Sequence, residues 1–145
     1  MAEDRTEITA RWTGALGFEA KNPHGAAVRM DSLPEGTAPS PMEVVLMALA
    51  GCTGMDIVSI LEKKRQPADS IEISVHGTRA KDHPRIYTAI EIEYVLAGPL
   101  LTAEAVSRAI ELSITKYCSV GGMLAKSASL RTTFRIVPAG KSTHE

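Results

Sequence analysis

The first third of the chain alternates between hydrophobic and polar residues, the pattern of short strands that bury one face. Every second position from 8 to 12 is apolar, and the same period of two returns around Phe18 and around Val28. A strong turn signal, Asn-Pro-His-Gly, separates the last two runs at residues 22–25. These positions predict a meander of three antiparallel strands.

The next stretch, Pro41–Gln66, changes to the pattern of one long helix. Ser40 can cap its start, Glu43 places negative charge in the first turn, and Pro67 ends it. Such a helix is about 35 Å long. Residues 44–52 are apolar on every side, which predicts a central helix surrounded by other elements.

The second half of the chain returns to strands and then to a pair of helices. Alternation at 71–76 and 86–96 predicts two strands, and Thr102 caps a second helix. One stripe at helical spacing follows the cap: Val106, Ala109, Ile110, Ser113, Ile114 and Tyr117. We expect this helix to falter at Cys118, a short helical piece to follow, and a last strand to run from 130 to 137.

The predicted order of elements is βββ-α-ββ-αα-β. This order defines an α+β fold in which an antiparallel sheet packs on a long central helix and its partner helix. With 145 residues the chain is long enough for a single domain with a substantial core, predicted over residues 1–145. The polar end of the chain, residues 138–145, is predicted to be a disordered tail.

The composition narrows the classes of partner and the compartment. A formal net charge of −1 argues against nucleic acid or an anionic membrane as the main partner. Because Asp56 breaks the apolar run of the central helix, we expect no membrane span, and the polar N-terminus is not a secretory signal. Two cysteines without such a signal indicate the cytosol. Aromatic residues make up only 4% of the chain, and a core short of them leaves apolar surface for a second subunit.

Cys52 lies near the middle of the central helix, within Ala-Gly-Cys-Thr-Gly at residues 50–54. Each glycine costs the helix about 1 kcal/mol relative to alanine, but it removes bulk around the thiol. One interpretation is a reactive cysteine that is kept accessible. The other is that Gly51 and Gly54 admit a closely packed helix and that Cys52 is a small core residue. The stretch alone leaves both open.

Cys118 has a similar setting, at the break between two helices and directly before Ser-Val-Gly-Gly. Backbone N–H groups at a helix start stabilise a thiolate, so we expect them to lower the pKa of Cys118. The two cysteines are 66 positions apart (118 − 52), unlike a Cys-x-x-Cys pair or a compact zinc site. The four histidines form no spaced cluster, so no zinc site is expected.

Two segments, Ser40–Cys52 (SPMEVVLMALAGC) and Lys116–Val120 (KYCSV), resemble the two signature blocks of the OsmC/Ohr family. These are osmotically inducible and organic hydroperoxide resistance proteins. The resemblance covers nearly the whole chain, because the order of elements also matches, and it is closest to the YhfA-like branch. It implies a thiol peroxidase built as an intertwined homodimer, with active sites at the subunit interface, acting as a cytoplasmic antioxidant in the stress response.

By that resemblance Cys52 is the peroxidatic thiolate and Cys118 the resolving thiol. Arg29 is the cation that activates Cys52, and Glu43 is the carboxylate that holds the arginine. The substrate would be an organic hydroperoxide, and an external dithiol would reduce the resulting Cys52–Cys118 disulfide. The family commonly has Glu directly after the proline, where this chain has Met42. Glu43 is therefore offset by one position, about 100° around a helix.

Other interpretations stay open. A non-catalytic OsmC-like protein could bind a small apolar ligand at the dimer interface, and a thiol redox sensor is a further alternative. Arg29 would then be an ordinary exposed strand residue, and Glu43 only a helix-start residue. Ser119 replaces the proline that commonly follows the second cysteine of the family. Asp56, one turn after Cys52, is left out of the catalytic set because its negative charge would raise a thiol pKa.

Overall fold

The computed structural model of the protein describes residues 4–32 and 36–138. These residues form two compact units, with the division between Val45 and Leu46. The single domain predicted over 1–145 stays a prediction. Most of the predicted tail lies outside the described residues.

The first unit carries the predicted meander. Its strands are Thr9–Gly14 (β1), Gly17–Lys21 (β2) and Ala27–Met30 (β3), paired antiparallel in the order β1-β2-β3. At the predicted turn, the Asn22 side-chain oxygen accepts hydrogen bonds from the backbone N–H groups of His24 and Ala26. This side chain replaces ladder bonds that the turn cannot make, which is the reason why asparagine favours turns.

The long helix α1 spans Pro41–Lys63. Its start is a reciprocal cap, because the Ser40 hydroxyl accepts from the Glu43 N–H at 3.1 Å and the Glu43 carboxylate accepts from the Ser40 N–H at 2.9 Å. After the helix, Arg65 takes a φ of +61° and the Gln66 N–H donates to a carbonyl of the last turn. That left-handed residue closes α1 slightly before the predicted end.

One face of α1 is buried and the rest is not. The buried positions are Leu49, Thr53, Ile57 and Leu61, spaced four residues apart. On other faces Met47 is 56% exposed, Met55 74% and Val58 45%. The prediction of a helix surrounded on every side is therefore wrong for a single chain. Within the described residues, these three side chains remain largely uncovered.

By length and composition α1 would also pass for a membrane span, the one such helix in the described ranges. The prediction of no such segment rested on Asp56, which interrupts the apolar run. One charged residue does not bring the mean hydropathy of the helix below that of a membrane span. The polar contacts of α1 are nevertheless those of a core helix. Thr53 is fully buried and hydrogen-bonded to other elements, and Asp56 accepts a hydrogen bond from Ser113.

The second unit contains a sheet of three strands in the order β4-β5-β6. These strands are Ser70–Arg79 (β4), Tyr87–Ala97 (β5) and Ser129–Val137 (β6). β4 pairs antiparallel with β5, but β6 pairs parallel with it, so the prediction of an antiparallel sheet is wrong at this strand. Since 31 residues lie between Ala97 and Ser129 (129 − 97 − 1), the connection is long enough to cross over and return in the same direction.

The crossover connection carries the remaining helices. Helix α2, Ala103–Leu112, begins at Thr102, whose hydroxyl accepts from the Ala105 N–H at 3.2 Å. A π-helical segment, Ser113–Tyr117, continues it, and a short helix α3 spans Ser119–Leu124. The α+β fold and the predicted order of elements are confirmed, with two small sheets in place of one.

The core of the second unit is formed by α1, β5 and α2. Its fully buried apolar side chains are Leu49, Ile57, Leu61, Ile90, Ile92, Tyr94, Leu96, Ala97, Val106 and Ala109. Aliphatic residues dominate this core, as the low aromatic content predicts.

Candidate functional site

The two cysteines, distant in sequence, come together in the second unit. Cys52 lies on α1, and Cys118 lies between the π-helical segment and α3. Both are free thiols, and the Cys52 side chain is within hydrogen-bonding reach of Cys118. Cys52 is partly exposed whereas Cys118 is buried, with 4% of its surface accessible.

The π-helical segment determines where Cys118 points. The Cys118 N–H donates to the Ser113 carbonyl at 2.7 Å, a bond to the fifth preceding residue instead of the fourth. The wider turn moves the buried face of the helix by about one residue. Tyr117, which the regular helical spacing predicts to face the core, is 51% exposed, and Cys118 is buried instead.

Gly121 shapes the space around the Cys118 sulfur. Its N–H donates to Cys118 Sγ at 3.2 Å, so the thiol caps the start of α3. A Cβ atom at position 121 would stand 3.3 Å from Cys118 Sγ and 3.6 Å from Leu49 Cδ1. A side chain there would press on the sulfur, which explains why a glycine is suited to this position.

The electrostatic setting of Cys118 is opposite to the sequence expectation. Burial raises the pKa of Cys118 to about 11, and the charges of Cys52 and Asp56 act in the same direction. The Gly121 N–H lowers this pKa, as predicted for a helix start, but burial outweighs it. Cys118 is therefore a protonated thiol at neutral pH.

A chain of buried hydroxyl groups runs beside the thiols. Thr53 Oγ1 lies 2.9 Å from the Tyr94 hydroxyl and 2.7 Å from Ser113 Oγ, and Ser113 donates to Asp56 Oδ2 at 3.0 Å. Each hydroxyl has one proton to donate, so the Asp56 end sets the direction of the chain: Tyr94 donates to Thr53, and Thr53 donates to Ser113. Burial also raises the pKa of Tyr94 to about 12, which keeps this donor protonated.

Two cavities lie along α1. The first, about 400 Å³, is lined by Asp56, Ser59, Ile60, Lys63, Lys64, Leu112 and Tyr117. The second is an open apolar groove of about 460 Å³, lined by Gly51, Gly54, Met55, Val58, Ser59, Glu62, Ile71 and Ile73. Both cavities lie close to Cys52. Gly51, the preceding residue, lines the groove, and Asp56, one helical turn later, lines the first cavity.

Arg29 occupies the polar face of the first sheet. It lies opposite Glu19, which in turn lies opposite Arg11 on β1, and both arginines are exposed. The apolar face of the same sheet includes Trp12 and Phe18, which are direct cross-strand partners. Within the first unit, Arg29 therefore has the setting of a solvent-facing strand residue.

Glu43 is a member of the reciprocal cap at the start of α1. One of its carboxylate oxygens accepts from the Ser40 N–H, and within the described residues it forms no salt bridge with Arg29. At this position, one residue after Met42, Glu43 is three residues from Ser40 and can complete the cap at the start of α1.

The comparisons with known proteins place this geometry in a family. The family described as OsmC-like protein matches residues 34–133, which is more than half of the chain. The chain belongs to the OsmC-like protein family. It is 39% identical to Protein YhfA of Escherichia coli K12, over 92% of this chain and 99% of that protein. The predicted family resemblance, including the YhfA-like branch, is confirmed.

Solved structures agree with this membership. A hypothetical protein from Aquifex aeolicus VF5 superposes with a TM-score of 0.84 at 32% identity, over 94% of this chain and 98% of that one. The organic hydroperoxide resistance protein OhrB of Bacillus subtilis superposes with a TM-score of 0.64 at 16% identity, over 91% and 98% of the two chains. The second likeness is one of fold.

In this OsmC-like chain, the sequence indicates the two thiols but not the buried hydroxyl groups that lie beside them. The sequence does not indicate the hydroxyl chain through Thr53 and Ser113, and the predicted catalytic set excludes Asp56. A signal was present: Thr53 lies beside Cys52, and Ser113 is a small polar residue within the predicted apolar stripe that follows Thr102. A polar residue on a buried face needs a hydrogen-bond partner, which the sequence does not name.

The raised pKa of Cys118 predicts a loss of stability in alkali. Between the unfolded value of 9.0 and the folded value of about 11, the native state binds more protons than the unfolded state. Stability is therefore fully present below pH 9 and falls as the pH rises through 11. Urea unfolding from pH 8 to 11 should show a shallower decline in Cys118→Ala than in the wild type. Equal slopes would contradict the assignment. Tyr94→Phe serves as a comparison, because its effect should begin about one pH unit higher, where the pKa of Tyr94 moves from 10.0 to about 12.

Proposed function

We propose that this protein reduces organic hydroperoxides with Cys52 and Cys118, in the cytoplasm and as part of an antioxidant stress response. The observation that carries the proposal is the pairing of an accessible free thiol with a buried one within hydrogen-bonding reach. Membership of the OsmC-like family supports it. So does the fold shared with proteins named for organic hydroperoxide resistance.

In the first step the Cys52 thiolate attacks one oxygen of the hydroperoxide. A sulfur–oxygen bond forms, the O–O bond breaks, and the departing alkoxide takes a proton to leave as an alcohol. Cys52 becomes a sulfenic acid. The assignment to Cys52 follows from access, because Cys118 is buried and protonated while Cys52 is partly exposed.

In the second step the Cys118 sulfur attacks the Cys52 sulfenic sulfur. The S–S bond forms and the S–O bond breaks, and the departing hydroxide leaves as water with the proton of the Cys118 thiol. An external dithiol then reduces the disulfide and is itself oxidised to a disulfide. The electrons balance with peroxide, two cysteines and the dithiol alone, so the cycle requires no metal or cofactor.

Arg29 and Glu43 belong to the same proposal as activating groups. Arg29 would stabilise the Cys52 thiolate with its positive charge, as cations beside reactive cysteines do. Glu43 would hold Arg29. The cap contact with Ser40 occupies one carboxylate oxygen, and a carboxylate can bind a guanidinium with the other.

A second copy of the chain is the proposed partner of α1. Met47, Met55 and Val58 leave apolar surface exposed on a helix that ends within a compact unit. The apolar groove lined by Gly51 and Ile73 lies on the same helix, and such a surface typically marks an interface. We propose an intertwined homodimer in which this surface is covered and the active sites lie at the subunit interface.

The peroxidase proposal is tested by a steady-state assay with a dithiol reductant. The wild type should reduce cumene hydroperoxide faster than hydrogen peroxide, since the groove that includes Gly51, beside Cys52, is lined mainly by apolar residues. Cys52→Ser should abolish the rate. A wild-type rate no higher than that of free cysteine would contradict the peroxidase proposal. The interpretation as a protein that binds an apolar ligand would then remain.

The oxidised products test the roles of the two cysteines. Cys118→Ser should let Cys52 stop at sulfenic acid or over-oxidise, whereas peptide mass mapping of the wild type should find a Cys52–Cys118 disulfide. Reaction of Cys118 while Cys52 stays reduced would reverse the two roles.

The activating pair is tested by Arg29→Ala and Glu43→Gln. Each should cut the rate with cumene hydroperoxide by about tenfold or more, which corresponds to about 1.4 kcal/mol of barrier. Glutamine still completes the reciprocal cap, so Glu43→Gln should lose only the contact with the helix dipole, about 0.3–1 kcal/mol of stability. Arg11→Ala is the matched control, because Arg11 is exposed and lies across Glu19 from Arg29. If Arg29→Ala and Arg11→Ala behave alike, Arg29 is only a surface residue.

The dimer is tested by sedimentation at low micromolar concentration, where the mass should be roughly twice the 15.5 kDa of one chain. Met55→Lys places a charge on the exposed face of α1 and should shift the protein toward the monomer. Leu100→Lys is the control, since Leu100 is 60% exposed and lies outside α1. A folded wild-type monomer would contradict the proposed assembly.

A further inference from the structure

Asp56 connects the exposed side of α1 with the buried hydroxyl chain. It lies four residues after Cys52, about one helical turn, so both side chains are on the same side of α1. Its Oδ2 accepts the Ser113 hydroxyl at 3.0 Å, and its side chain lines the cavity of about 400 Å³. The proposed chemistry gives it no role.

Ser113 links Asp56 to Cys118, because both of its polar oxygen groups are used. Its side-chain hydroxyl donates to Asp56, and its carbonyl accepts the Cys118 N–H at 2.7 Å. Ser113 is fully buried, and Thr53 also bonds its hydroxyl. A short path of hydrogen bonds and covalent bonds therefore joins the Asp56 carboxylate to the backbone of Cys118.

We propose that Asp56 is a positioning residue for Cys118: by anchoring the Ser113 hydroxyl, it holds the π-helical segment in the register that brings the Cys118 sulfur to Cys52. The significance of this positioning for catalysis rests on the proposed role of Cys118 as the resolving thiol. The claim that Asp56 positions Cys118 is independent of that role.

The register matters because the π-helical segment competes with a regular helix. In a regular α-helix residue 117, and not 118, would bond the Ser113 carbonyl, and one residue corresponds to about 100° of rotation. Thr53 donates to Ser113, so without Asp56 the Ser113 proton would need another acceptor, and a buried serine can donate to a carbonyl of its own preceding turn. The acceptor at Asp56 removes that competing bond and fixes Ser113 in the observed orientation.

The charge of Asp56 has a second, smaller effect. Together with burial and Cys52 it raises the pKa of Cys118, and it also acts on Tyr94. Around Asp56 itself, Lys63, Lys64 and Tyr117 line the same cavity. The hydrogen bond and the charge can be separated, because asparagine keeps an acceptor oxygen and removes the charge.

The test measures how fast diamide, a thiol oxidant, forms the Cys52–Cys118 disulfide in the full-length protein. Asp56→Ala and Ser113→Ala should both slow disulfide formation, on the order of tenfold, because a small displacement of reacting atoms costs much rate. Asp56→Asn should keep the rate within a few-fold of wild type, and Ser59→Ala, on the same cavity wall, should match wild type. In Asp56→Asn the pH profile of Cys118 alkylation should shift to lower pH, since the repelling charge is gone.

The proposal is overturned if Asp56→Ala forms the disulfide as fast as wild type, or if Asp56→Asn is as slow as Asp56→Ala. Thermal melting identifies variants that are folded at the assay temperature. If Asp56→Ala is unfolded, Ser113→Ala carries the comparison with Ser59→Ala, and an unchanged rate in Ser113→Ala overturns the proposal equally. Diamide needs no peroxidase activity. A wild type without peroxidase activity would therefore contradict the proposed function, and the diamide measurements would still test the role of Asp56.

Discussion

The structure of the second unit depends on one buried hydroxyl group, that of Thr53. It lies in the middle of α1 and bonds Tyr94 of β5 and Ser113 of the π-helical segment. A buried polar group that loses its partner costs about 1–3 kcal/mol, so each of these bonds fixes the position of an element. Hydrophobic packing brings α1, β5 and α2 together without specifying register. The hydroxyl chain specifies it, and the register brings the thiols to one place.

The two thiols differ because their surroundings differ. Cys118 is enclosed, and the loss of solvent outweighs the favourable N–H of Gly121. Cys52 is partly exposed, and a Cβ atom at the neighbouring Gly51 would meet no other atom within 4 Å. Burial therefore distinguishes two side chains of the same chemical type. The packing that stabilises the fold also raises the pKa of Cys118.

Local patterns predicted most of the fold, and from the candidate site they indicated the two cysteines. Alternation gave the strands, and the caps at Ser40 and Thr102 gave the helix starts, because these signals lie within a few neighbouring residues. The pairing direction of β6 was missed, because the residue pattern within a strand is the same whether it pairs parallel or antiparallel with its neighbour. The π-helical segment was missed because its widened turn depends on the partners of Ser113, which are distant in sequence. The pKa of Cys118 was predicted in the wrong direction, because burial is a property of the packed chain.

The parallel pairing of β6 with β5 also sets the order in which the protein can assemble. Parallel strands pair only after the whole crossover connection is present, and contacts between distant residues form slowly because a long loop must close first. Cys52 precedes that connection and Cys118 lies within it. Because synthesis runs from the N-terminus, Cys52 is made 66 residues before Cys118 (118 − 52). Until the crossover connection has been made, the new chain carries a single thiol, and the pair of cysteines depends on a contact between residues that are distant in sequence.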